Sequence, residues 1–177
     1  MTKLDELIEA IENKRDTGDI KVLIDSIQNI NTLDEEGNTA LSIAVIYGNL
    51  EIVKHLVAKG ANVNLRDINS GTALIEAAYF GHLQIVQYLI NNGANVNLPY
   101  ITGWTPLTHA VYNGYLDVAE SLLKNGAIIE TRDFFFASRR GYQDIVNLLN
   151  SNQFKDQILN NKFTAIQVIS QLIPLDI

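Results

Sequence analysis

The chain carries one short sequence three times at a fixed spacing: Gly37-Asn38-Thr39-Ala40-Leu41, Ser70-Gly71-Thr72-Ala73-Leu74 and Gly103-Trp104-Thr105-Pro106-Leu107. Successive copies lie 33 residues apart, and later positions keep the same register, as in the pairs Gly60-Ala61, Gly93-Ala94 and Gly126-Ala127. A period of about 33 residues is typical of a solenoid in which each repeat contains a turn and two short helices. The sequence therefore predicts a repeat protein over residues 34–132.

Single positions within the repeat have physical roles that fit two short helices. A threonine stands where each first helix would begin, and its hydroxyl can accept a hydrogen bond from a backbone N–H of the first turn. A glycine stands where each second helix would end, which favours the left-handed conformation. Each predicted helix has about 9–10 residues and is too short to be stable alone. Neighbouring repeats must therefore bury one another's apolar faces.

Several longer motifs recur at matching places in the repeat. The third copy contains Thr105-Pro106-Leu107 and then Ala110, and the second contains Gly81-His82 followed by Ile85-Val86. In these motifs the repeat resembles the ankyrin repeat. The resemblance implies an all-α helix-turn-helix solenoid of about four repeats. It also implies a concave groove, formed by the turn tips and the inner helices, that binds other proteins.

The segments on either side of the regular repeats predict caps within a single domain of 177 residues. Residues 1–33 contain apolar side chains at helical spacing and are expected to form an N-terminal helix pair with a charged outer face. Full repeats are expected at 34–66, 67–99 and 100–132, and a truncated fourth repeat at 133–150. Residues 151–177 show no clear repeat, and we expect a helical C-terminal cap there.

The fourth repeat is expected to differ from the others at its start. Asp133 and Gly141 are separated by six residues fewer than the matching positions Asp67 and Gly81. We expect the loss to remove the projecting turn and the start of the first helix, which would close one end of the groove. The triplet Phe134-Phe135-Phe136 lies at this junction. We expect it to be buried between the third repeat and the C-terminal cap, with one ring free to reach the groove floor.

Composition and motifs argue against several classes of function. The chain has no cysteine, no phosphate-binding glycine loop and no cluster with the spacing of metal ligands, so no cofactor or metal is expected. Its three histidines stand at three different repeat positions and are expected to be structural. No nucleophile, base and orienting group come together, so we do not expect an enzyme or catalytic residues. The net charge of −7 disfavours nucleic acid as a partner.

Charge is unevenly distributed along the chain. Residues 1–36 carry ten acidic and four basic side chains, a net charge of −6, and the remaining residues carry −1. This acidic end could steer a basic partner, or it could simply keep the cap soluble. No run of 18 apolar residues predicts a membrane span. We expect a monomeric cytoplasmic protein, and export as an effector stays open.

The candidate partner-binding residues are those at the turn tips and inner-helix ends, where the resemblance implies that the groove lies. Aromatic residues are common there, and such residues dominate protein-protein hot spots. The alternative is packing between repeats, and Tyr100 could compensate for the aspartate that it replaces. The candidates are Glu35, Glu36, Tyr47, Tyr79, Phe80, Tyr100, Trp104, Tyr112, Arg132, Arg139 and Arg140.

Together these observations predict a non-catalytic module that binds a partner protein through its groove. Two narrower hypotheses remain: an inhibitor or immunity-type protein that neutralises a basic toxin or enzyme, and a secreted effector or scaffold. Binding of a small ligand at the phenylalanine triplet is a further alternative.

Overall fold

The computed structural model describes residues 2–151, which form ten α-helices in five consecutive pairs. The bounds are α1 Lys3–Glu12, α2 Thr17–Ser26, α3 Ala40–Ile46, α4 Leu50–Ala58, α5 Ala73–Phe80, α6 Leu83–Asn91, α7 Pro106–Asn113, α8 Leu116–Lys124, α9 Thr131–Arg140 and α10 Gln143–Leu149. The predicted C-terminal cap lies outside the described residues, except for Ser151.

The helices stack in two layers. Helices α1, α3, α5, α7 and α9 pack in this order as the inner layer, and α2, α4, α6, α8 and α10 follow one another in the outer layer. Within residues 2–151 there is no β-strand, only an isolated bridge between Leu33 and Thr39. The predicted all-α solenoid of helix pairs is therefore confirmed.

The predicted helix boundaries follow from side-chain and backbone chemistry. Thr39, Thr72 and Thr105 each accept a hydrogen bond from the third backbone N–H of α3, α5 and α7. Each outer helix of the regular repeats is followed by a glycine with a left-handed backbone, such as Gly93 at φ +85°. At that position a side chain would clash with the backbone, and glycine has none.

The core runs along the whole stack. Small residues let the inner helices approach closely, and Ala44, Ala77, Ala78 and Ala110 are fully buried. Larger side chains fill the space between the layers, among them the fully buried Leu74, Leu89 and Leu107. Because these residues are buried only when neighbouring repeats are present, each pair depends on the next for its stability.

Consecutive repeats are joined by backbone hydrogen bonds at the turn tips. The N–H of Ile68 donates to the carbonyl of Gly37 at 3.4 Å, and the N–H of Ile101 donates to the carbonyl of Asn69 at 3.0 Å. The three tips therefore form one continuous edge beside the inner helices.

A row of asparagines joins the repeats at the loops that follow the outer helices. The Asn64 side chain donates to the carbonyl of Gly93 at 2.9 Å and accepts from the N–H of Asn95 at 2.8 Å. Asn31 and Asn97 make the equivalent pairs of bonds in the repeats before and after. The first helix pair is thus linked to the regular repeats by the same bonds.

The fourth repeat corrects one sequence-based expectation. Its projecting turn is absent, but the start of its first helix is not lost. Helix α9 begins at Thr131, two residues before the boundary placed at Asp133, and at ten residues it is longer than α7. With no turn to form, residues 131–133 continue the helix backwards, and Asp133 accepts a 2.8 Å hydrogen bond from the N–H of Glu130.

The triplet at this junction is less buried than expected. Phe134 is in the core, whereas Phe135 and Phe136 are half-buried, because successive helical side chains point in different directions. No helix of residues 2–151 has the length and apolar character that a membrane span requires.

Candidate binding groove

The candidate site is the face that carries the turn tips and the exposed side of the inner helices, which we call the groove. Trp104 shows that the two parts share one face. It belongs to the third tip, and its ring lies 5.2 Å from that of His109 and 5.0 Å from that of Tyr112, both on α7. The groove is therefore a surface formed jointly by the tips and the inner layer.

A chain of ring contacts runs along the groove from α5 to α9. Phe80 contacts Tyr79 at a centroid distance of 5.0 Å, and Tyr79 contacts His109 at 5.7 Å. Trp104 joins His109 to the rings of the next repeat, with Phe136 at 5.0 Å. Most of these pairs meet edge-to-face or tilted, the arrangements that aromatic rings prefer.

The aromatic rings along the groove differ in how far they are exposed to solvent. Tyr79 and Phe80 are 45% and 40% exposed, and Tyr47, one repeat earlier, is 43% exposed. Trp104 and Tyr112 are half-buried against Phe136. Two apolar tips, Ile68 and Ile101, are each 66% exposed, so the groove presents a largely apolar surface near its centre.

His109 lies at the centre of the aromatic cluster. The rings of Tyr79, Tyr100 and Trp104 surround it at 5.2–6.2 Å. Both of its ring nitrogens are buried and make no hydrogen bond with any described residue. Burial lowers the pKa of His109 to about 4, so the ring is neutral near pH 7.

An acidic group lies beside this cluster. Glu76 occupies on α5 the place that His109 occupies on α7, 33 residues later, and the two helices pack together. Burial and the nearby charge of Asp67 raise the pKa of Glu76. The pKa of Tyr100 is raised by burial and then by the charges of Asp67 and Glu76. The carboxylate of Glu76 makes no hydrogen bond or ion pair with the residues that the structure describes.

The groove ends in arginines at the last turn of α9. The guanidinium of Arg140 lies 3.8 Å from the ring centroid of Tyr112, and that of Arg139 lies 5.9 Å from Phe135. Arg132 instead pairs with Glu130 at 2.8 Å. Arg140 is thus held in place by an aromatic ring, whereas the charge of Arg132 is compensated.

The opposite end of the groove is acidic. Glu35 and Glu36 are exposed at the first tip, and with Asp34 they line a shallow depression shared with Asp5 and Glu9 of α1. The groove therefore changes from acidic at α1 to aromatic at its centre and basic at α9.

Comparison with known proteins identifies the repeat. A family model described as "Ankyrin repeats (3 copies)" matches residues 67–133, and a second, "Ankyrin repeats (many copies)", matches residues 43–90. The chain belongs to the ankyrin repeat family. No curated protein matches it.

The ankyrin repeats bring together some of the sequence-predicted residues and separate others. Tyr79, Phe80, Tyr100, Trp104 and Tyr112 are all linked by the ring contacts around His109. Arg140 contacts the cluster through the ring of Tyr112. Outside the cluster lie Tyr47, which makes no ring contact with it among the described residues, and the charged residues Glu35, Glu36, Arg132 and Arg139.

Sequence reasoning assigned His109 a structural role and did not single out Glu76 or Asp67. The 33-residue register could have shown that Ile43, Glu76 and His109 lie in one row of this ankyrin stack. Among residues 2–151 no cluster of histidine, aspartate and glutamate could hold a metal ion.

Proposed function

We propose that this chain is a non-catalytic protein-binding module and that its partner docks on the groove. Ankyrin repeats are generally protein-protein interaction modules, which supports the general assignment. The proposal that the partner docks on the groove is carried by the large apolar side chains that this face leaves exposed. These are Tyr79 and Phe80 at the end of α5 and Ile68 and Ile101 at the tips. Large apolar side chains left exposed on one face are typical of an interaction site.

The two exposed rings are the proposed anchors. Tyr79 and Phe80 are adjacent, and their edge-to-face contact at 5.0 Å holds both rings at the surface. Rings fixed in this way lose little conformational entropy when a partner covers them. Trp104 and Tyr112 are packed against one another and against Phe136, so they are less available to a partner than the two exposed rings.

The charged ends would orient the partner. Glu35 and Glu36 favour basic groups on the partner at the α1 end, and Arg139 and Arg140 favour acidic groups at the α9 end. Complementary charges of this kind affect the association rate and the direction of docking more than the affinity.

The test is capture of a partner by immobilised protein, followed by measurement of its affinity with purified components. We expect Tyr79→Ala with Phe80→Ala to weaken binding at least tenfold, since each buried anchor contributes about 2 kcal/mol. Tyr112→Ala is less suitable, because the Tyr112 ring contacts Trp104, Phe136 and Arg140.

Val22→Ala is the matched control. Val22 is 69% exposed on the outer helix α2, away from the groove. Equal affinity of the double variant and the wild type, with both folded, would show that the partner binds elsewhere.

One narrower role has support in the charge distribution: inhibition of a basic toxin or enzyme. The acidic depression between α1 and the first tip would meet the basic target. Replacing Glu35 and Glu36 with Gln should then slow association and reduce its salt dependence. Unchanged association rates would favour the scaffold or effector role.

A further inference from the structure

The rings of α7 and α5 differ in what covers them. Tyr79 and Tyr112 are equivalent residues, one repeat apart, at the same place on successive inner helices. The ring of Tyr112 carries the guanidinium of Arg140, from the next inner helix, at 3.8 Å. The residue that matches Arg140 on α7 is Asn113, whose amide donates to the carbonyl of Tyr79 at 3.2 Å. The ring of Tyr79 therefore has no guanidinium over it within the described residues and remains 45% exposed.

The surroundings of Tyr79 suit a cation. Glu76 lies one turn before Tyr79 on α5, so both side chains project from the same helix face. Its carboxylate is half-buried and has no hydrogen bond or ion pair with any described residue. A carboxylate in this position gains more from a cationic partner than one in open water, because the local dielectric constant is lower.

The other neighbours do not oppose a positive charge. His109 is neutral near pH 7 because burial lowers its pKa to about 4. Burial, and then the charges of Asp67 and Glu76, raise the pKa of the Tyr100 phenol, so this group is uncharged near pH 7. Ring faces carry partial negative charge and attract cations. The Glu76 carboxylate, which has no partner among the described residues, and the exposed Tyr79 ring therefore both favour a cation.

We propose that the groove centre between α5 and α7 binds an arginine side chain of the partner protein. The guanidinium would stack on the Tyr79 ring and donate hydrogen bonds to the Glu76 carboxylate. This inference rests on the proposed function, since it names the chemistry of the docked partner. Arginine suits the site better than lysine, because a planar guanidinium can stack on a ring and bind a carboxylate at the same time. The Arg140–Tyr112 pair provides the stacking half of this arrangement one repeat away.

The experiment uses three small probes that differ only in their side chain: N-acetylargininamide, N-acetyllysinamide and the uncharged N-acetylcitrullinamide. Trp104 is the only tryptophan of the chain, and it contacts His109 in the same cluster. Its indole N–H signal in NMR spectra therefore reports binding at the groove centre. The probes are titrated at pH 7 and constant ionic strength into the full chain.

We expect a saturable shift of the Trp104 signal with the arginine probe, a weaker one with the lysine probe and none with the citrulline probe. Glu76→Gln should weaken the arginine probe about tenfold, as expected for the loss of a charge-assisted hydrogen bond. Tyr79→Leu should weaken it as well. Asp117→Asn removes the same charge from the exposed surface of the outer helix α8, outside the groove, and should leave the affinity unchanged.

Three results would overturn the proposal: equal shifts with the arginine and citrulline probes, equal or tighter binding of the lysine probe, or unchanged binding in folded Glu76→Gln. The Glu76 carboxylate makes no hydrogen bond or ion pair with the described residues, so this variant is expected to fold, and circular dichroism checks it. The captured partner separates the two proposals. Partner binding that depends on Tyr79 and Phe80 but not on Glu76 would refute the arginine site and keep the groove. Partner binding that is insensitive to all three would refute the groove itself.

Discussion

The hydroxyl of Thr108 donates a 2.8 Å hydrogen bond to the carboxylate of Asp133, and this buried contact joins α7 to α9. Asp133 also accepts from the N–H of Glu130. Burial is the main influence on the carboxyl and raises its pKa to about 7, although these hydrogen bonds and Arg132 partly oppose the shift. The last described repeat is therefore joined to the stack through a group that titrates near neutral pH.

Titration of the Asp133 carboxyl should make the protein less stable as pH rises. Between the ordinary aspartate pKa and about 7, folded Asp133 holds a proton that the unfolded chain has released, so the free energy of unfolding decreases as pH rises. The slope is at most about 1.4 kcal/mol per pH unit. Asp133→Asn should remove this slope in denaturant unfolding measured from pH 5 to 8. The exposed Asp144→Asn should retain it, and an identical slope in Asp133→Asn would refute the assignment.

His109 should act in the opposite direction. Its folded pKa of about 4 lies below the ordinary histidine value, so its contribution to stability is lost as pH falls below about 6.5. His109→Phe removes two buried nitrogens that lack hydrogen bonds with described residues. We expect a gain of about 1 kcal/mol at pH 7 and a larger gain at pH 5. A less stable variant at pH 5 would show that the nitrogens are bonded in solution.

A comparison of alanine substitutions at two glycines distinguishes the cost of backbone strain from the cost of a steric clash. Gly81 and Gly93 both have left-handed backbones, with φ of +75° and +85°. A Cβ at Gly81 would lie 2.8 Å from the ring of Tyr115, whereas one at Gly93 would meet nothing within 4 Å. Gly93→Ala should cost about 1–2 kcal/mol of stability from strain alone. Gly81→Ala should cost about 1–3 kcal/mol more. Equal losses in thermal or denaturant unfolding would contradict the close ring contact.

The asparagine row should couple neighbouring repeats. Asn64 bridges two repeats through its bonds to Gly93 and Asn95, so Asn64→Ala should lower the free energy of unfolding by about 1–2 kcal/mol. Hydrogen exchange should also become faster in the residues next to this bridge. Asn69→Ala, at a turn tip, removes no side-chain hydrogen bond to a described residue and serves as the control. The same loss in both variants would mean that the bridge adds no coupling.

The sequence predicts those parts of the fold that each repeat determines within itself. The threonine caps, the left-handed glycines and the alternation of inner and outer helices all follow from contacts within about ten residues. The predicted start of α9 was wrong, because the repeat pattern does not show how the backbone continues when the turn is missing. The central place of His109 was not predicted, because Tyr79 and Trp104 meet its ring only when successive repeats stack. The stacking of the repeats also decides which rings are covered by side chains of the next repeat.

The bonds at the turn tips have a further consequence for how this surface can change. Ile68 and Ile101 are bonded to the preceding tip through backbone N–H groups, which every amino acid except proline provides. Both side chains are largely exposed, although that of Ile68 also lies against Gly37. Substitution at Ile101 can therefore change the exposed surface of its tip while the backbone bond to the preceding repeat is kept. Sequence variation at an exposed tip can thus change this surface while leaving the fold essentially unchanged, and a designed library placed there would have the same freedom.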